Sequence, residues 1–186
     1  MTFEYSGIAR SELAAAEAIA SRVGVLEHRI VRLPDLKEAA DIPGFRPDGL
    51  PPTYIPLRNG IFYSFGASYA EETGAASIVG GHNGDDSHVF ADVSPEFFTS
   101  LQKAFRSGSQ ILRRNRIQIA LPLKNLAKPA VIRLAASMKV PLELTWSCHR
   151  DSEKHCWRCE GCLSRMRCFT EAGIMDPLRG KLEKIT

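Results

Sequence analysis

No apolar run in the 186 residues is long enough to cross a bilayer. Met1-Thr-Phe-Glu-Tyr5 is not a basic stretch followed by an apolar one, so no signal peptide is expected and the expected location is the cytoplasm. Charge of one sign is scarce. The formal balance is only +3, and four thiolates holding a divalent ion would lower it to about +1. Aromatic residues make up 8% and do not interleave with basic ones, so no nucleic-acid partner is expected. Repeats and low-complexity stretches are lacking too. What remains is a composition of 44% apolar and 24% charged residues, enough for a folded domain with its own core.

One basic cluster stands out: Arg106, Arg113, Arg114 and Arg116. It is read as a solvated loop and strand edge in preference to a phosphate-binding patch, because charge runs are usually solvated.

Periodicity alternates between helix and strand. Glu12 to Val23 is predicted helical, with Leu13, Ala16, Ala20 and Val23 on one face and Gly24 as its stop. Glu27 to Leu33 is predicted as a strand. The Pro- and Gly-rich segment from Pro34 to Pro56 is too long for a simple connection and is read as a functional or mobile segment. A helix is expected over Arg58 to Thr73, a strand over Ala76 to Gly80, and a polar loop from Gly81 to Asp86. Ser94 and Pro95 predict a helix start that runs to about Arg106. Ile117 to Leu121 is a strand. Lys128 to Met138 is a helix with Val131, Leu134, Ala135 and Met138 on one face, and a last helix runs from about Cys159 to Ala172. Alternation of this kind implies an α/β fold with a parallel sheet flanked by helices. Ligands in such folds sit at the carboxyl ends of strands, where the Gly80–Asp86 loop falls.

The cysteines carry the most specific chemistry. Cys148-x7-Cys156-x2-Cys159-x2-Cys162 has two short gaps that let neighbouring thiolates reach one ion, with a fourth ligand upstream. Soft sulfur donors favour zinc or an iron–sulfur cluster, and zinc is the preferred reading. Disulfides do not suit a cytosolic chain. Four thiolates leave no open position, so the zinc would be structural. His149 and His155 flank the set as supporting or surface residues, and Cys168 is read as a small buried apolar residue.

The run Val140-Pro-Leu-Glu-Leu-Thr-Trp-Ser-Cys148, with Glu153-Lys-His-Cys-Trp-Arg-Cys-Glu-Gly-Cys162, resembles the 7-cyano-7-deazaguanine synthase (QueC) family of queuosine biosynthesis. So do Tyr54-Ile-Pro-Leu-Arg-Asn59, Gly81-His-Asn-Gly-Asp-Asp86 through Phe90-Ala-Asp92, Pro122-Leu123 with Lys128, and Phe169 to Pro177. The resemblance implies a PP-loop, adenine nucleotide alpha-hydrolase-like domain over residues 1–140 and a four-cysteine zinc-binding helical segment over 141–186. It implies an ATP-dependent, carbon–nitrogen bond-forming ligase that turns 7-carboxy-7-deazaguanine and ammonia into the nitrile, with zinc as a structural ion and Mg2+ as a companion of ATP. Lys128 and Asp86 would be catalytic. Arg58, Asn59, Asn83, Asp92 and Lys154 would bind substrate or nucleotide. Each has a plainer reading: Asp92 as a helix cap, Asn83 and Asp86 as turn formers, Lys128 as a surface residue at a helix start.

The family's Ser-Gly-Gly-x-Asp-Ser loop, which holds ATP phosphates at a helix N-terminus, is not found. The nearest text, Ser6-Gly-Ile-Ala-Arg-Ser11, has Ile8 and Arg10 at the wrong places. Phe3-Glu-Tyr5 aligns instead with the family's next strand. The expectation is therefore a synthase or the larger part of one, with a separate chain that supplies the first βα unit, or a homodimer, covering exposed edges. A mis-set start, and a non-catalytic zinc-stabilised protein that binds a deazapurine or nucleotide, are the competing expectations. A zinc-ribbon-like module that contacts tRNA is a weaker one.

Overall fold

The computed structural model describes residues 1–45, 48–51, 54–85 and 90–179. They form two compact units: Met1–Asp35 with Lys128–Thr186, and Leu36–Ala127. No helix among the described residues is long and apolar enough to cross a membrane.

The first unit starts with strand β1 (Thr2–Tyr5), helix α1 (Arg10–Val23) and strand β2 (Ile30–Leu33). The strands pair in parallel, Thr2 opposite Ile30 and Tyr5 opposite Leu33. A parallel pair needs a crossover, and α1 supplies it. The helix ends at Gly24, whose φ of 74° is the left-handed cap that glycine adopts without penalty. Leu13, Ala16 and Ala20 are half-buried as the periodicity requires, but Val23 is exposed. The unit resumes with α5 (Lys128–Ser137) and, after the cysteine loop, α6 (Glu160–Ala172), which ends at left-handed Gly173. These two helices contact each other. The expected face of α5 is only partly correct: Val131 and Ala135 are half-buried, while Leu134 and Met138 are exposed.

The second unit holds α2 (Arg58–Thr73), β3 (Ser77–Val79), α3 (Pro95–Gly108), α4 (Gln110–Arg114) and β4 (Gln118–Ala120). Strands β3 and β4 pair in parallel, Ile78 opposite Ile119. The Ser94 hydroxyl accepts from the Phe97 N–H at 3.1 Å and fixes the start of α3. One core gathers Tyr63, Val93 and Phe98 under Ile78, Leu101 and Ile119, and a second gathers Ala67, Ala70, Leu112 and Ile117.

The basic cluster is solvated as expected at Arg113, Arg114 and Arg116, with Arg106 half-buried, but it lies on two helices and the turn after them rather than in a loop. The Ser109 hydroxyl accepts from Leu112 N–H and starts the short helix α4, which is too brief to leave a periodic trace. Arg106 donates to the carbonyls of Ile117 (2.9 Å) and Arg116 (3.3 Å), and Arg113 donates to those of Arg106 and Ser107. The Pro34–Pro56 segment contains a 3-10 turn over Ala39–Asp41.

Candidate metal centre and substrate site

The four cysteines converge. One sulfur from each of Cys148, Cys156, Cys159 and Cys162 lies within 4.8 Å of all the others. Cys148–Cys159 and Cys156–Cys162 sulfur pairs are 3.9 Å apart. Local backbone explains the convergence. Trp157 takes a φ of 56° inside the Cys156–Cys159 turn, which folds the chain back so that the Cys159 N–H points at the Cys156 sulfur (3.3 Å). Cys159 is the N-cap of α6, and Cys162 faces inward from its first turn. Gly161 admits no side chain, because a Cβ there would lie 2.0 Å from the Ser147 carbonyl oxygen. Cys148 and Cys162 are almost wholly buried.

As free thiols Cys156 and Cys162 would titrate far apart. The backbone N–H of Arg158 holds Cys156 down at about 6, whereas burial pushes Cys162 up to about 12. At Cys159 burial works upward, but the N–H groups of His149 and Cys162 prevail and lower it. A soft divalent ion at the centre would deprotonate all four. The donor set and spacing fit such an ion.

His155 is buried beside the cage, between Trp146 (ring centroids 4.2 Å) and Trp157 (5.1 Å). Its Nε2 accepts from the Ser147 N–H at 3.1 Å. Burial, then the charge of Arg165, lowers its pKa, and with Nε2 occupied by the Ser147 N–H the ring supports the cage beside the four converging sulfurs. His149 is exposed, and its Nε2 would lie 2.8 Å from a Cβ on Gly161. Cys168 is buried on α6.

In the second unit the sequence-derived polar residues fall in two places, Arg58, Asn59 and Asp92 at the start of α2 and Asn83 in the loop after β3. Asp92 and Asn59 are both buried. One Asp92 oxygen accepts from the Asn59 backbone N–H and from its side-chain Nδ2, each at 3.0 Å. The carboxylate therefore sits on the first turn of α2, where the helix dipole favours it. Asp92 is a helix cap as the plainer reading expected, but of α2 rather than of α3. Arg58 is half-buried as the first residue of α2, after Leu57 in left-handed conformation (φ 52°). Asn83 accepts from the Asp85 N–H at 3.0 Å and shapes the loop after β3. Asp86 lies outside the described residues.

Lys128 and Lys154 belong to the first unit. Lys128 opens α5 half-buried, and Lys154 is exposed, its carbonyl accepting from the Ser152 hydroxyl. The structure thus brings together the four cysteines in one unit, and Asn59 with Asp92 in the other.

Sequence reasoning missed two groups. Arg165 makes a two-pronged ion pair with Asp176 (2.7 and 2.8 Å) at almost no exposure, and bonds the Thr145 hydroxyl at 2.7 Å. It locks the segment before the cage to the tail after it. The other is Tyr63, one turn after Asn59 on the buried face of α2. Its signal was that spacing, together with the Gly80-Gly81 pair opposite.

The family described as "Queuosine biosynthesis protein QueC" matches residues 1–173. The chain is 35% identical to the 7-cyano-7-deazaguanine synthase of Thermoplasma acidophilum, over 96% of this chain and 79% of that protein. It is 36% identical to the protein of that name from Thermosynechococcus vestitus, over 96% and 82%. For the one from Acetivibrio thermocellus the figures are 36%, 96% and 84%.

Proposed function

The chain belongs to the QueC family of queuosine biosynthesis proteins, and from that premise we propose that it is a 7-cyano-7-deazaguanine synthase. The observation that carries the reading is the match across 96% of the chain to relatives bearing that name. It favours catalysis over passive deazapurine binding.

In the proposed reaction the carboxylate of 7-carboxy-7-deazaguanine attacks the α-phosphorus of ATP and expels pyrophosphate. Ammonia displaces AMP to give the amide. The amide oxygen is adenylated by a second ATP, and loss of AMP with two protons leaves the nitrile. Each step needs cationic compensation of phosphate charge and exclusion of water. We assign the first need to Lys128, Lys154 and Arg58, with Mg2+ on the ATP phosphates, and assign Asp86 to proton or metal handling. We assign to substrate binding Asn83, which shapes the loop after β3, and Asn59 with Asp92, which satisfy each other and fix the start of α2. The four-cysteine cage holds zinc, whose full shell gives it a folding role and no open position for substrate. The ligand set supports zinc through its sulfur chemistry.

The test is turnover. Zinc-loaded protein with ATP, 15N-ammonium and 7-carboxy-7-deazaguanine should yield labelled nitrile and AMP by mass spectrometry. Binding of the deazapurine without AMP release would move the chain to the non-catalytic reading. A gain of activity on adding a separate chain with the Ser-Gly-Gly-x-Asp-Ser loop would identify a split enzyme.

A further inference from the structure

The Tyr63 hydroxyl is the one buried side-chain oxygen or nitrogen among the described residues with no hydrogen-bond partner. The residue is 6% exposed. Leaving a hydroxyl dry and unpaired costs roughly 1–3 kcal/mol, which phenylalanine would avoid with the same shape. Packing alone therefore gives no reason for the oxygen.

Its surroundings do. The phenol reaches over Gly80, the residue that follows β3, and a Cβ on Gly80 would lie 1.7 Å from the oxygen. The hydroxyl thus stands at the carboxyl end of a parallel strand, where α/β folds place ligands. The His82 ring lies over the Tyr63 ring at 5.8 Å with planes 27° apart, and is 5.1 Å from Phe98. Phe98 and Leu121 border both this cluster and a hollow of about 180 Å³ that also meets Gln102 and Lys124. One turn earlier on α2 lies the Asn59–Asp92 pair. An imidazole thus stacks where a planar heterocycle would find aromatic faces and one donor.

We propose that Tyr63 is a substrate-binding residue: a planar nitrogen heterocycle takes the place of the His82 ring, and the Tyr63 hydroxyl donates a hydrogen bond to an oxygen of that heterocycle. Burial pushes the phenol pKa up to about 12, so the group stays a protonated donor at every working pH. Under the proposed function the heterocycle is the deazapurine, and the inference rests on that reading. Tyr63 then contributes to choice of base and not to adenylation.

The test is calorimetry of the full chain with 7-carboxy-7-deazaguanine and, separately, with ATP. Tyr63→Phe should bind the deazapurine about ten-fold more weakly, the worth of one buried hydrogen bond. It should leave ATP affinity as it was and should not lower the melting temperature. Equal deazapurine affinity in wild type and Tyr63→Phe overturns the inference and leaves the function reading intact. No deazapurine binding by wild type overturns both. If Tyr63→Phe melts lower, His82→Ala decides: tighter deazapurine binding supports the inference, because the covering ring is gone, and equal or weaker binding overturns it.

Discussion

At the scale of single residues, Arg165 and Asp176 are the most consequential pair outside the cysteines. Both are nearly inaccessible, and Arg165 also lies over the Phe169 ring at 4.8 Å. Removing one member strands the other as a buried charge, a loss of about 3–5 kcal/mol. Arg165→Ala should lower stability by that order in chemical denaturation. For Asp176, burial works against ionisation, but the Arg165 bonds prevail and hold its pKa below the ordinary value. A depressed carboxyl stabilises the fold above its unfolded pKa and ceases to do so as pH falls through the folded one. The stability gap between wild type and Asp176→Asn should therefore be full at neutral pH and shrink below the ordinary aspartate range. A gap independent of pH would mean that the pair is not ionised. Cys159→Ser should lose the metal and unfold the cysteine segment; a variant that stays folded with one ion per chain would remove Cys159 from the ligand set. The cysteines were legible because their chemistry is written in their spacing. The Arg165–Asp176 pair was not, since it forms only once the chain turns back after Gly173, and the Tyr63–Gly80 fit left only the helical spacing of Tyr63 and the glycine pair as a trace.

At the scale of elements, three helices announced themselves through their glycine stops, Gly24, Gly74 and Gly173. The expected range Arg58–Thr73 is the one observed, because Gly74 takes the left-handed φ of 73° that ends it. Helix α1 is different. Its N-cap is Ala9, which has no side chain to cap with. Instead Asp151, in the cysteine loop, accepts from the Arg10 N–H at 3.0 Å, and Ser11 bonds the Ser152 carbonyl. No local pattern could have shown a cap supplied from so far along the chain. Strand β4 has a similar device. Its outward N–H at Ile119 donates to the Gln102 side chain at 2.7 Å, and the carbonyl of Ile117, just before the strand, accepts from Arg106, one helical turn along α3. Two side chains of α3 thus stand in for a neighbouring strand and close the edge against pairing with other chains. Gln102→Ala should speed hydrogen exchange at the Ile119 amide while leaving Ile78 protected. Unchanged exchange at Ile119 would mean that the bond closes nothing.

At the scale of the molecule, the α/β class and the parallel pairing of strands followed from alternation alone. The composition of the two units did not, because Met1–Asp35 joins residues after Lys128 only through tertiary contacts. The four-cysteine cluster belongs to that unit, and its loop reaches the start of α1 through Asp151 and Ser152. Chelation should therefore strip exchange protection from α6 and from the first turn of α1, with the amides of Leu36–Ala127 as the internal reference. Loss confined to the cysteine loop would mean that the cap is not coupled to the metal. The central claim concerns chemistry, and the ratio of products tests it most directly. Converting a carboxylate to a nitrile removes both oxygens, each carried off on one AMP. With limiting 7-carboxy-7-deazaguanine and excess ATP and ammonium, two AMP should appear for every nitrile. Amide accumulating with a single AMP, or no AMP at all, would contradict the account.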